Sequence, residues 1–523
     1  MRSEMFDAQS RRMRAMAEWS EQALGLSGAT RIGPPGPAAF TDVAVDSRAV
    51  TPGALFVALR GVAVHGAAHA PAALEAGAAA LLTDLDGAVL AMRLLAERGR
   101  PAAPIYVVED PRRALAAAAA VLAPGRPETV VAVTGTNGKT SVASFTAQLF
   151  AALGHTSATF GTTGLRSWNL PANLNEPQSH TTLEPLALHR LLARLARQGV
   201  THAAMEASSH GLAQRRVDAA APDAAALTNI TRDHLDYHQD AEAYAAAKLR
   251  LFSAVTPPGA AAVLNADDPI FTVAAALCAA RGLRVSSVGR AAEATLRLVA
   301  VDADLSGLTL RFAHGGAEHR RRIGLVGRFQ AENALCAAAL CLGVGEEPGP
   351  VFDALEGLEG VRGRMELAAR RANGAGVFVD YAHTPDAVAT ALAALRPHTP
   401  GRLHIVLGAG GDRDPGKRPE MGRAAMAADR VTITDDNPRS EDPATIRAAI
   451  LAACPEASEL GDRAEAILTA VDALGPGDAL LIAGKGHESG QEVAGVHHPF
   501  DDAEQARAAV LALDGEDGKI IER

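Results

Sequence analysis

Apolar and polar positions alternate along this chain in short bursts that predict a series of strand, turn and helix units. The most regular burst is VVAV, residues 130–133, a run of β-forming residues that ends at Gly135. It is followed at once by an apolar-periodic stretch placing Val142, Phe145 and Leu149 on one helical face, closed by Gly154. Further strand-like runs fall at residues 201–205, 225–228, 261–264 and 308–312, with helical segments between most of them. This alternation predicts an α/β, doubly wound, largely parallel sheet over residues 128–362.

The same pattern recurs on both sides of this unit. Strands are predicted at 43–45, 55–59, 80–83 and 105–108, with a helix over 71–78, giving a smaller α/β domain over residues 41–127. From residue 363 to 523, strands at 376–379, 403–407, 431–434 and 479–482 alternate with helices, a second parallel α/β pattern. Residues 1–40 are polar and then rich in glycine and proline, which predicts an isolated helix and a flexible lead.

At 523 residues, 48% of them hydrophobic, the chain is too long for one core, in keeping with three domains. A net charge of −10 leaves no global basic field for nucleic acid, so any anion site must be a local cluster. Cys278, Cys336, Cys341 and Cys454 form no CxxC pair and read as core residues of a reducing compartment. No long apolar run points to a membrane span, and the N-terminus lacks an apolar signal core. A cytoplasmic protein is expected.

The turn after residues 130–133 reads TGTNGKTS (134–141). Gly135 and Gly138 let backbone N–H groups of Thr136, Asn137 and their neighbours converge on an anion. A helix N-terminus starts at Lys139, Lys139 adds a point charge, and the Thr140 hydroxyl, followed by Ser141, suits Mg²⁺. Val133 stands where the longer GxxxxGK[ST] form would have glycine, so this is the shorter GxxGKT loop. Glu206, at the end of the next strand, is a magnesium candidate or a strand-end surface carboxylate. His234 and His238 have i, i+4 spacing but lack the rest of a zinc motif. Lys248, on spacing alone, reads as a solvated helix residue. LGAGGDRD (407–414) has Arg413 where a dinucleotide fingerprint needs its third glycine, which argues against NAD.

Taken in order, TGTNGKTS, EASSHGL, TNITRDHLDYH with AYAAAK, LNADDP, GRFQAEN, GRME, DYAHTPDA, GAGGDRDPGKRP, DDNPRSEDP and AGKGHE resemble the Mur ligases over about residues 43–502. The resemblance implies a three-domain architecture with a P-loop-containing central sheet and a Rossmann-like C-terminal domain. It implies ATP-dependent amide formation: the D-glutamate carboxylate of UDP-N-acetylmuramoyl-L-alanyl-D-glutamate attacks the γ-phosphate, and an amine then displaces phosphate from the acyl phosphate. ATP and Mg²⁺ are the implied cofactors, peptidoglycan precursor synthesis the implied setting, and a monomer without nucleic-acid or membrane partners the implied state.

Carried over residue by residue, the resemblance gives Lys139 and Thr140 to phosphates and metal, and Glu206 to the same Mg²⁺. His234 and Lys248 fall to a second metal, where the family's lysine is carbamylated. Asn333, Arg364 and Asp380 become further nucleotide contacts. Ser47 matches the uridine side, and Thr181, Thr182, Ser208, Gln214 and Arg216 the muramoyl-peptide contacts. Asp436, Asn437, Pro438 and Arg439, with Arg413, Gly484 and Glu488, resemble the branch that adds meso-2,6-diaminopimelate. An Asn-Pro turn can hold the Arg439 fork rigidly against that acceptor's distal carboxylate, and Glu488 suits its distal ammonium. Lysine-adding and folylpolyglutamate-type ligases remain the alternatives. His180, Gln330 and Arg362 depart from the usual Asn, Asn and Pro of the family, and the role of His383 stays open.

Overall fold

The computed structural model describes residues 19–61, 63–178, 180–231, 233, 237–304, 307–515 and 518–520. Three sheets divide the chain. The first has strands β1 (Thr30–Ile32), β2 (Val43–Ala44), β3 (Leu55–Val57), β4 (Ala80–Thr83) and β5 (Ile105–Val107), in the order β1-β5-β4-β3-β2. All are parallel except β1, which runs antiparallel along β5.

β1 corrects the expectation of a flexible lead. Residues 19–40 are packed: Leu24, Leu26 and Phe40 are buried in the first core, and Trp19 bridges Phe40 through paired backbone bonds. Gly33, Pro34 and Pro35 stop a helix but do not prevent a short edge strand. Residues 1–18, the rest of the stretch expected to hold an isolated helix and a flexible lead, lie outside the described residues.

The central sheet has eleven strands: β6 (Thr129–Thr134), β7 (Ser157–Gly161), β8 (Gly164–Trp168), β9 (Asn175–Glu176), β10 (His202–Glu206), β11 (Ala224–Leu227), β12 (Ala261–Asn265), β13 (Arg284–Gly289), β14 (Leu296–Asp304), β15 (Gly307–His314) and β16 (Ala317–Ile323). Their order is β16-β15-β14-β13-β12-β11-β6-β10-β7-β8-β9. β7, β10, β6, β11, β12, β13 and β14 form the parallel middle. The run at 308–312 belongs instead to an antiparallel meander, β14-β15-β16, that continues one edge, while β8 and β9 continue the other. β6 is buried on both faces between two hydrophobic clusters, so it reads as continuous apolar sequence.

The last sheet comprises β17 (Glu366–Arg370), β18 (Gly376–Asp380), β19 (Leu403–Leu407), β20 (Arg430–Ile433), β21 (Ser458–Glu459) and β22 (Ala479–Ala483), with β25 (Lys519–Ile520) on its β17 edge. A hairpin, β23 (Gly490–Val493) and β24 (Val496–Pro499), stands apart from it. Its core is tied by a fully buried pair in which Arg463 Nε and Nη2 each lie 2.7 Å from an Asp502 carboxylate oxygen. No helix among the described residues is long and apolar enough to cross a membrane.

Candidate active site

The phosphate loop leaves β6 at Thr134 and enters the helix Lys139–Ala152, whose N-terminus has no side-chain cap. Its amides therefore face outward at the C-terminal edge of the sheet, where an open α/β sheet binds ligands. Gly135 (φ 146°) and Gly138 (φ 83°) occupy backbone regions that side chains rarely adopt. A Cβ at Gly135 would lie 1.8 Å from Thr228 Oγ1, and one at Gly138 2.5 Å from Asn333 Oδ1. The loop is thus wedged between the end of β11 and the helix Phe329–Gly343. Thr228 Oγ1 donates to Asn137 O at 2.6 Å, Asn137 N donates to Asn229 Oδ1, and Thr136 Oγ1 lies 3.1 Å from Tyr244 Oη.

Two lysines close on this loop. Lys139 Nζ donates to Gly135 O (3.0 Å) and Thr136 O (2.8 Å), and Lys248 Nζ donates to Gly135 O at 2.6 Å. Lys248 is 1% exposed, so it is not the solvated helix residue that spacing suggested. Burial, and then the charge of Lys139, depress its pKa to about 6, against the pull of Asp233. Burial also lowers the pKa of Lys139, with Glu206 opposing and Arg364 adding to the shift. Arg364, from the third domain, therefore lies within electrostatic reach of the loop.

Glu206 ends β10 and is buried. Its Oε2 accepts from Thr140 Oγ1 (3.0 Å) and Thr162 Oγ1 (3.1 Å), and its Oε1 from Thr162 N (2.7 Å). Thr140 and Glu206 are thereby placed as adjacent oxygen donors, the donor set Mg²⁺ takes. His234 lies outside the described residues. Ser141 is buried in the first turn of the loop's helix.

Asn333 donates to Gln330 Oε1 at 2.9 Å, so Gln330 positions it in place of the family's asparagine. A cavity at the ends of β11, β12 and β13, lined by Thr228, Asn229, Asn265, Val288 and Asn333, opens beside it. Arg364 lies over the Tyr381 ring at 4.8 Å, and its buried Nε has no described partner. Asp380 Oδ2 accepts from Met365 N (2.6 Å), and burial raises its pKa against the neighbouring Arg364. Arg362 is paired with Asp501 across the entry to the third domain.

On the other side of Glu206, Thr182 Oγ1 donates to Glu206 O or Ser208 Oγ, each at 3.1 Å, and accepts from Ser208 N at 2.9 Å. Thr181 Oγ1 lies 3.0 Å from Thr162 Oγ1. Arg216 donates to Gln214 Oε1 (2.8 Å) and Thr182 O (2.9 Å), and Gln214 Nε2 donates to Tyr237 Oη. These residues form one bonded group contiguous with Glu206. Ser47 sits apart, on the turn Ser47–Ala49 of the first domain, and none of the described hydrogen bonds of that group reaches it.

The residues matched to an acceptor site meet in the third domain. A Cβ at Gly484 would lie 2.4 Å from Asp436 Oδ2. Asn437 Nδ2 donates to Glu488 Oε2 (2.9 Å), and Gly411 N donates to Asn437 O. Pro438 O lies 1.9 Å from where a Cβ of Gly411 would be, so the glycine-rich loop and the Asn-Pro turn touch backbone to backbone. Arg439 has φ 52°; its Nη1 donates to Gly411 O (2.8 Å) and its Nε lies 3.3 Å from Glu492 Oε2. Arg413 and Glu488 both act on the Tyr381 hydroxyl, whose pKa is raised mainly by burial.

Two residues escaped the sequence reading. Thr162 supplies two of the three bonds that hold Glu206, and the turn GTTG after β7 was its signal. Lys485, fully buried, donates to Asn437 Oδ1 (3.1 Å) and lies 3.4 Å from Glu488 Oε2, inside the AGKGHE motif.

With a phosphate loop and a buried carboxylate in the central domain and the Asn437–Glu488 cluster in the third, the chain is an ATP-dependent amide-forming ligase and belongs to the Mur ligase family. The family's catalytic-domain model matches residues 40–122, its middle-domain model 133–341 and its glutamate ligase domain model 363–486. The chain is 51% identical over 478 residues to the UDP-N-acetylmuramoyl-L-alanyl-D-glutamate–2,6-diaminopimelate ligase of Bradyrhizobium diazoefficiens, covering 90% of this chain and 95% of that protein. It is 49% identical to the protein of the same description from Caulobacter vibrioides, covering 90% and 96%. A solved structure described as such a ligase superposes with a TM-score of 0.69 at 33% identity, covering 95% of this chain and 99% of that one.

Proposed function

We propose that this protein joins meso-2,6-diaminopimelate to UDP-N-acetylmuramoyl-L-alanyl-D-glutamate at the expense of ATP, through an acyl phosphate, in peptidoglycan precursor synthesis. The observation that supports this reading is the turn 437–439, where Asn437 Nδ2 donates to Glu488 Oε2 and the Arg439 guanidinium donates to Gly411 O of the facing glycine loop. A distal amino-carboxylate needs both a guanidinium and a carboxylate; L-lysine or a glutamyl tail has no use for the pair. The descriptions of the relatives support the same acceptor.

The residues divide the work by chemistry. Backbone amides of residues 135–141 and Lys139 bind the phosphates of ATP, with Asn333, Arg364 and Asp380 as further nucleotide contacts. Thr140 and Glu206 would hold one Mg²⁺, and His234 with a carbamylated Lys248 a second. A metal held there would supply charge neutralisation between two anions that must meet. A lysine whose pKa lies near 6 is largely neutral at pH 7 and so is a competent amine for carbamylation. Thr181, Thr182, Ser208, Gln214 and Arg216 orient the muramoyl peptide so that its terminal carboxylate faces the γ-phosphate, while Ser47 takes the uridine side. Residues 41–127 thus serve UDP, 128–362 ATP and 363–523 the incoming amino acid. A cytoplasmic setting belongs to this reading and is supported by four free, buried cysteines.

Phosphate release should require all three substrates, with meso-diaminopimelate active and L-lysine not. Arg439→Ala should abolish that preference or the activity. Equal turnover with lysine would remove Arg439 as selector, and no turnover with either would remove diaminopimelate as the acceptor.

A further inference from the structure

At the opposite end of the central sheet from the phosphate loop, three side chains from distant parts of the chain converge. His155 lies just beyond the helix Lys139–Ala152, whose end is marked by Gly154 (φ 94°). His202 is the first residue of β10, level with Ser157 at the start of β7. Glu346 follows the helix Phe329–Gly343, its amide bonded to Cys341 O. The imidazoles stack at 3.8 Å, and Glu346 Oε1 lies 2.8 Å from His155 Nε2 and 3.9 Å from His202 Nε2. All three candidate ligand atoms lie within 4.8 Å of one another.

We infer that His155, His202 and Glu346 form a structural site for a divalent ion of the zinc class. Ligand atoms around a tetrahedral zinc stand about 3.4 Å apart, so the most separated pair must close by up to about 1.4 Å and one imidazole must turn out of the stack to aim its nitrogen at the ion. Two imidazole nitrogens and one carboxylate are a zinc-type donor set, unlike the all-oxygen set at Thr140 and Glu206. His202 Nδ1 is already held by Thr201 Oγ1 at 2.9 Å, which turns Nε2 towards Glu346 as an outer-shell partner does for a metal-binding histidine. His202 is buried whereas His155 and Glu346 are half-buried, so one side stays open for a water as fourth ligand.

The position gives the ion a purpose. The two helices that end here begin at the nucleotide site, one at Lys139 and the other with Asn333 in its second turn. An ion binding both C-terminal ends to β10 would fix the spacing of their N-terminal ends around the phosphates.

The test is zinc uptake by the untagged, chelator-treated full chain in excess Mg²⁺ and ATP, followed by competition with a chromophoric chelator. One equivalent should bind with a Kd below about 10 μM, and Glu346→Gln, nearly the same shape, should weaken it by at least about tenfold. The zinc-loaded protein should also melt several degrees higher. Anomalous diffraction at the zinc edge provides a readout independent of variants: a peak between the two Nε2 atoms supports the site. No uptake below that Kd, equal uptake in a His155→Ala/Glu346→Gln variant, or a peak only elsewhere would overturn it.

Discussion

Lys139 and Lys248 donate to one and the same acceptor, the carbonyl of Gly135, at 3.0 and 2.6 Å. Two cationic groups on one oxygen repel, and burial disfavours the charged form of each. Burial lowers the pKa of both lysines, and Lys248, brought down to about 6, is the largely neutral amine of the pair.

This arrangement has a pH signature. The folded pKa of Lys248, about 6, lies below its ordinary value of 10.5, so between those pH values the unfolded chain binds a proton that the native chain lacks. Stability therefore rises with pH across that window. Lys248→Met should abolish turnover and, in carbon dioxide-free buffer, stabilise the fold most near pH 6, with the gain shrinking towards zero by pH 10. Urea melts at pH 6, 8 and 10 measure this; a gain independent of pH would refute the buried neutral amine.

Gly161 faces the carboxylate of Glu206, and a Cβ there would lie 2.1 Å from Oε1. Gly161→Ala should push Glu206 off its bonds to Thr162 and Thr140. We expect kcat to fall by at least about tenfold and the Mg²⁺ needed for half-maximal rate to rise, since a misplaced ligand loses metal affinity. An unchanged magnesium requirement would count against Glu206 as a ligand.

Arg439 holds a left-handed backbone, φ 52°, which costs a non-glycine residue about 1 kcal/mol. Arg439→Gly should therefore leave stability unchanged or slightly higher while KM for diaminopimelate rises steeply. Arg439→Ala should raise KM as steeply but, keeping the same backbone strain, should be no more stable than the parent. Parallel denaturation and kinetic measurements separate the two, and a stability loss in the glycine variant would show the side chain to be structural.

Asp502 neutralises the fully buried Arg463, which also donates to Ala483 O beside Gly484. Asp502→Ala leaves a buried charge unpaired and should cost about 3–5 kcal/mol in chemical denaturation. A loss below about 1 kcal/mol would mean that the arginine finds water or another partner.

What the sequence determined by itself was whatever depends on neighbours along the chain. The phosphate loop was legible because its glycines, lysine and threonine must be contiguous to bring successive amides onto one anion. The buried parallel strands were legible because a strand covered on both faces must be apolar throughout, as β6 is. Ordered motifs then carried the family.

The tertiary structure decided what depends on partners distant in sequence. The edge strand β1, the burial of Lys248, the grip of Thr162 on Glu206 and the contact of Lys485 with Asn437 and Glu488 all arise where separate elements meet. His155, His202 and Glu346 show the limit most clearly, since no spacing relates them along the chain. A lysine or histidine carries the same symbol in solvent and in a core, and only packing removes the water that sets its charge and its chemistry.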